Sequence, residues 1–360
     1  MSLIRRLFAV RSVESILREL QTAPPLKRVL TARSLTAIGL GSMIGTGIFI
    51  LTGTVAAHHA GPALSLSLLV AALGAGLAAI CYAEFAAMIP VSGSAYTYSY
   101  VTLGEAIAWI IGWNLSLEYL MSASAVAVGW SEYVVNMCTQ WGLSLPQPLI
   151  NAPFGKLADG SIGLTGAIVN LPAVLIIVAL GAICYVGVRE SATVNNVMVV
   201  IKVAVIVLFI IAGISFVDTS NWTPYLPENT GTFGEFGWSG VLQGAGIIFF
   251  SYIGFDAAST TAREARNPQR DLPLGILGAL FVSVLLYVGM SLVMTGMVPY
   301  TQLGGAAPVA VALDAHPQIA WLGSLVKLGA IIGMTSVILM SLLGQPRIFL
   351  AMAEIGRAHV

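Results

Sequence analysis

Eight separate runs of mostly apolar residues dominate the chain, each about as long as the ~20 residues a helix needs to cross a bilayer. They fall near 36–57, 63–89, 105–128, 168–187, 193–216, 239–261, 273–297 and 319–344, and the third can continue as one helix to 140. No water reaches the hydrocarbon to satisfy main-chain N–H and C=O groups, so runs of this kind have to be helices, which implies an all-α integral membrane protein. Only 9% of the 360 residues are charged, against about 25% in a soluble domain. The lipid bilayer is therefore the expected surrounding, and a formal net charge of zero argues against nucleic acid as a partner. Residues 1–33 are polar and basic and lack an isolated apolar core. They read as an N-terminal segment ahead of a transmembrane domain over 34–353, not as a cleaved leader. Cys81, Cys138 and Cys184 have no paired spacing and are expected to be small buried hydrophobes, with no metal site.

Lys and Arg fix the expected orientation, since loops retained in the cytoplasm keep them. With the N-terminus inside, the cytoplasmic side holds Arg5, Arg6, Arg11, Arg18, Lys27, Arg28, Arg33, Arg189, Arg263, Arg266, Arg270 and Arg347, and the outer side only Lys156.

Within the first run, "IGLGSMIGTGIFIL" places Gly39, Gly41, Gly45 and Gly47 in a helix interior, where each costs about 1 kcal/mol relative to alanine. A dinucleotide fingerprint is excluded, because no strand precedes it. Close helix packing through Gly41-x-x-x-Gly45 is one explanation. An interrupted helix is the other: unwound main chain lining a protected cavity, with bare N–H groups near Met43–Gly47 presented to an anion. The sixth run repeats the feature in "GAGIIFFSYIGFDAAST". Breaks in the first and sixth spans are the signature of an inverted five-helix repeat, and such pairs point to the binding site. Free carbonyls near Phe250–Ile253 would suit an ammonium, so the pair suits a zwitterion better than a phosphate or a neutral sugar.

Ionisable residues inside the spans mark candidate function. Lys202 lies about nine residues into the fifth span, roughly 13 Å deep at 1.5 Å per residue. Burial disfavours its charged form, which makes it a candidate proton carrier. Glu118 is mid-span in the third run and a candidate to pair with a cation or to titrate. Lys327 is expected to snorkel toward the outer headgroups. Glu84 and Asp256 sit toward cytoplasmic span ends, where packing or gating is expected. His58, His59, Trp109, Trp113 and the Tyr96–Tyr98–Tyr100 cluster read as membrane-interface residues.

Several long blocks resemble the amino acid–polyamine–organocation superfamily, specifically its cationic amino acid transporter branch. They are "GLGSMIGTGIFILTG", "CYAEFAAMIPVSGSAYTYSYVTLGE", "LEYLMSASAVAVGWSEYV", "FFSYIGFDAASTTAREARNPQRDLPLGI" and "GQPRIFLAMA". The resemblance implies the LeuT-type inverted-repeat fold with discontinuous helices one and six. In that fold Ile44, Gly45, Thr46 and Gly47 would bind the substrate carboxylate. Carbonyls of Phe250, Ser251 and Ile253 would hold the α-amino group, and the Phe250 ring would cover the substrate. Lys202 would stand where sodium-coupled relatives hold an ion, with Thr335 and Ser336 as the hydroxyl pair facing it. Glu118 would be a supporting residue.

The family's fold core has ten helices, so eight spans imply that helices nine onward are missing here. The final "EIGRAHV", Glu354–Val360, departs from the family pattern and reads as translated sequencing adapter, so the natural protein is expected to be longer. The expected function is secondary active import of an amino acid with a proton as coupling ion and no cofactor, by alternating access in the cell membrane. An amino acid exchanger of the same fold is the alternative, and a non-transporting amino acid sensor ranks below it. No nucleophile–base set or phosphate loop suggests an enzyme.

Overall fold

The computed structural model describes residues 10, 12–14, 28–91, 93–156, 162–186, 188–305 and 307–357. Arg5, Arg6, Arg11, Arg18 and Lys27 of the basic segment lie outside the described residues, as do the last three residues of the tail. All eight runs are helical. The first span is Ala32–Met43, begun by Thr31, whose hydroxyl accepts the Ser34 N–H. After a break it resumes as a widened turn at Gly47–Leu51, an α-turn at Thr52–Val55 and a second wide turn at Ala56–Ala60. The second and third spans are Leu64–Met88 and the unbroken Glu105–Gln140, the longer of the two lengths expected. The fourth and fifth are Leu171–Val186 and Val188–Gly213. The sixth is split into Gly237–Ile248 and Phe255–Glu264, and the seventh is Pro268–Met297. The eighth runs from Trp321 to Arg357, well past the expected end at 344.

Among the described residues, five helical stretches are long and apolar enough to cross a membrane by length and composition. One of them, Gly47–Met88, joins the outer part of the first span to the second. Leu73, Leu77, Val200 and Phe281 lie exposed along these helices, which is stable only against lipid.

The spans sort into two groups by packing. The seventh lies against the first and second, and the second against the outer half of the sixth; the eighth lies against the third, fourth and fifth. The first span touches both groups. At the end of the bundle where the chain enters, the inner end on the expected orientation, the main chain is tied to the end of span six. The N–H groups of Val29 and Leu30 donate to the Glu264 carbonyl at 2.9 and 3.0 Å, and Arg266 N–H donates to the Leu30 carbonyl at 2.8 Å. The inner halves of the two broken spans are therefore one mechanical piece. An Arg347–Glu264 ion pair of 3.3 Å fastens that piece to the end of span eight.

Three expectations fail here. Tyr96, Tyr98 and Tyr100 are buried, not interfacial, because the short helix Ser94–Thr102 packs inward beneath spans three and eight. Tyr98 stacks on Phe85 at 5.2 Å, while Trp109 and Trp113 do face outward. Cys81 is exposed, and Cys138 and Cys184 are half-buried, Cys184 against the edge of the core, so none of the three is the fully buried hydrophobe expected. Lys327 does not snorkel: its side chain is 4% exposed and lies 4.0 Å from Asp314, on the short outer helix Pro308–Asp314.

Candidate functional site

The two breaks meet. In span one the helix ends at Met43; Ile44 turns extended (φ −77°, ψ 98°), yet its N–H still donates to the Leu40 carbonyl at 3.1 Å. Among the described residues the N–H groups of Gly45, Thr46 and Gly47 make no bond to a main-chain carbonyl. The N–H array expected over Met43–Gly47 is thus narrowed to three residues, and Ile44 contributes its carbonyl elsewhere. In span six the outer helix tightens through Phe249–Tyr252. The chain then reverses at Gly254, whose φ of +108° suits glycine, and restarts at Phe255.

Both explanations offered for the glycines of span one hold together. A Cβ on Gly39 would meet Ala279 of span seven at 2.6 Å, and on Gly41 the Asn195 Oδ1 of span five at 2.5 Å. On Gly45 it would meet Val337 of span eight at 2.7 Å, and on Gly47 the Ser251 Cα of span six at 2.5 Å. Span one is unwound, and it is also the shaft on which four other spans close.

Lys202 reaches this hinge from span five. It is fully buried, and its Nζ donates to the Gly41 carbonyl (2.8 Å), the Ile44 carbonyl (2.9 Å) and Ser336 Oγ (2.7 Å). All three ammonium protons are used, two of them on carbonyls that the break has freed. Ser336 Oγ in turn lies 2.8 Å from the Gly333 carbonyl and 3.0 Å from that of Gly41. Thr335 does not join it. Its hydroxyl donates to the Ile331 carbonyl (2.7 Å) and accepts Trp130 Nε1 of span three (3.0 Å), one helical position round from the lysine.

Glu118 is half-buried and is not brought to Lys202. It forms no ion pair among the described residues. Asp256 is buried in the first turn of the inner half of span six. It accepts from Ser94 Oγ (3.2 Å) and more weakly from Tyr119 OH (3.4 Å). It thus stands at the break itself, two residues after Gly254, and not toward a cytoplasmic span end as expected, because the sixth span restarts at Phe255.

Two side chains at the breaks are buried without a hydrogen-bond partner among the described residues: Thr46 Oγ1 and Ser251 Oγ, at 8% and 1% residue exposure. An orphaned buried hydroxyl costs roughly 1–3 kcal/mol unless something binds it. The Phe250 carbonyl receives the Ile253 N–H at 3.3 Å, and the Phe250 ring and Ile253 are half-buried.

Tyr287 of span seven is missing from the expected site. Its hydroxyl lies 3.0 Å from the Met43 carbonyl and 3.1 Å from the Ser251 carbonyl, so one proton serves both breaks. A tyrosine in an apolar span carries no periodic signal, and nothing in its sequence context marks it. Tyr287→Phe is expected to leave two freed carbonyls without a donor, costing roughly 1–3 kcal/mol in the closed arrangement. Substrate affinity, measured by binding to the purified protein, should fall about ten- to hundredfold at that cost.

Comparison with known proteins agrees with this geometry. The model of the family described as "Amino acid permease" matches residues 30–356. The chain is similar to the methylthioribose transporter of Bacillus subtilis (strain 168), with 48% identity over 331 residues, covering 92% of this chain and 68% of the relative. It is also similar to the branched-chain amino acid permease BcaP of that organism, with 43% identity, covering 97% of this chain and 72% of the relative. The vacuolar cationic amino acid transporter 2 of Arabidopsis thaliana shows 42% identity; the match takes in 92% of this chain and half of that longer relative. Among solved structures, MhsT in complex with L-phenylalanine superposes with a TM-score of 0.62 at 19% identity, covering 92% of this chain and 76% of that one. That likeness shows the fold, a LeuT-type transporter fold with its first and sixth spans broken. The chain belongs to the amino acid permease family, within the amino acid–polyamine–organocation superfamily.

Proposed function

We propose that this multi-pass membrane protein is a secondary active transporter that imports an amino acid together with a proton, by alternating access. It would sit in the cell membrane with its N-terminus cytoplasmic. The observation that carries the proposal is Lys202, whose three hydrogen bonds clamp the break of span one to span eight. Charged, it holds spans one, five and eight together. When the coupled inner halves of spans one and six swing away, it gives up these charge-assisted bonds and is free to lose its proton. The free N–H groups of Gly45–Gly47 and the Thr46 hydroxyl suit a carboxylate. In span six the Phe250 and Ser251 carbonyls already accept from Ile253 N–H and Tyr287, so the Ile253 carbonyl, with the second lone pairs of those two, would receive an α-ammonium. The Phe250 ring would close over the side chain.

A second reading rests on the relative at 48% identity, whose name specifies methylthioribose, a neutral thiosugar. Three bare N–H groups suit an anion better than a neutral hydroxyl array, which favours the amino acid. A competition screen of the twenty amino acids and methylthioribose against the full-length protein separates the two readings. At least one L-amino acid should compete, and its methyl ester should fail. Competition by methylthioribose alone would replace the amino acid reading. Net uptake into vesicles holding no internal substrate, with and without a pH gradient, then distinguishes symport from exchange, since an obligate exchanger has nothing to swap.

A further inference from the structure

Asn195 of span five is 1% exposed, and neither its amide oxygen nor its amide nitrogen has a hydrogen-bond partner among the described residues. A buried amide left unpaired is costly, and its retention calls for a partner in some state of the protein. The position is informative. Asn195 lies seven residues before Lys202, two turns along the same helix face and about 10 Å at 1.5 Å per residue. A helical side chain leans toward its own N-terminus, so the lysine leans toward Asn195.

One residue separates the two groups. Gly41 accepts Lys202 Nζ on its carbonyl, and a Cβ on the same residue would lie 2.5 Å from Asn195 Oδ1 and 2.9 Å from Nδ2. Gly41 belongs to Ala32–Met43, the inner half of span one, which is bound through its entry strand to the inner half of span six. When that piece swings away, the Lys202 ammonium loses the Gly41 carbonyl, and the Asn195 amide loses the cover that Gly41 provides.

We propose that Asn195 is a positioning residue that orients the water through which Lys202 passes its proton to the cytoplasmic side. The inference rests on the proton-symport reading above. In the step, an N–H bond of the ammonium breaks as an O–H bond forms on the water held by the amide. The lysine is left neutral, and the hydronium proton leaves through the opened inner side. The amide neither gains nor loses a proton; it accepts from the water with Oδ1 and donates with Nδ2. Lys202 makes no ion pair among the described residues. Spans one and seven bring no acid near it: span one carries only Arg33, His58 and His59 at its ends, and span seven Arg270 and Asp271 at its start. Span eight contributes Lys327, engaged with Asp314, Arg347, engaged with Glu264, and, more than four turns past Ser336, Glu354 and Arg357. Span seven also contributes Tyr287, engaged with two carbonyls, span four Cys184 and Tyr185 at its end, and span five Arg189 and Glu190 at its start. Water positioned by a neutral amide is therefore the route open to that proton.

The test is Asn195→Leu in the reconstituted full-length protein, with abundance checked, read as two rates side by side. Net uptake driven by a pH gradient requires Lys202 to lose its proton; exchange of labelled for unlabelled substrate does not. Losing one hydrogen bond to the moving proton should slow net uptake about tenfold and leave exchange within about twofold. Asn195→Ser, which keeps a polar group and leaves room for a second water, should restore most of the net rate. Equal losses in both rates, or no loss in either, overturn the proposal. Wild-type uptake indifferent to the pH gradient would instead refute the symport reading itself.

Discussion

Lys202→Ala is expected to abolish proton-driven uptake while the protein still reaches the membrane. The ammonium makes three hydrogen bonds, each charge-assisted, to Gly41, Ile44 and Ser336. Such bonds contribute roughly 1.5–3 kcal/mol apiece, so their joint loss exceeds two orders of magnitude in the equilibrium that holds span one closed. Lys202→Met is the sharper variant, because it keeps the side-chain volume and removes only the charge and the donors. Both should accumulate no substrate against a gradient when uptake is followed with a labelled amino acid. Wild-type accumulation by Lys202→Met would remove the lysine from the mechanism.

Gly47→Ala is expected to have the next largest effect. Its added methyl would lie 2.5 Å from the Cα of Ser251, in the unwound main chain of the facing span. A flexible side chain can turn away from such a clash, but a main-chain atom moves only if the two breaks part. Overpacking of this kind costs roughly 1–3 kcal/mol, and here it falls on the contact between the two breaks, where the proposed carboxylate and ammonium subsites meet. Substrate binding should weaken about ten- to hundredfold at that cost. Gly45→Leu should block binding too, but its clash is with the Val337 side chain at 2.7 Å. A smaller Gly45→Ala should accordingly be relieved by Val337→Ala, while Gly47→Ala should not. Rescue of Gly47→Ala by Val337→Ala would contradict the assignment of neighbours.

Residues were legible in the sequence where polarity or flexibility stood out against an apolar background. The breaks announced themselves as glycines in helix interiors, and Lys202 as a charge about nine residues deep. What a linear pattern cannot carry is the direction in which a side chain points around its helix. Thr335 and Ser336 are adjacent and chemically alike, yet only Ser336 faces the lysine. Lys327 has the depth of a snorkelling residue, but it points inward to Asp314. The three tyrosines near 98 have the composition of an interface belt, and the short helix Ser94–Thr102 turns them into the protein. Tyr287 and Asn195 were invisible for the same reason: their importance lies in what faces them, the freed carbonyls of two breaks in one case and Gly41 in the other.

The central claim is that one buried lysine links proton movement to closure of the broken spans around an amino acid. Proteoliposomes containing the full-length protein and an internal pH indicator test it most directly. Adding the transported amino acid outside should acidify the lumen with the wild-type protein and produce no acidification with Lys202→Met. Substrate-evoked acidification of equal size in both would contradict the account.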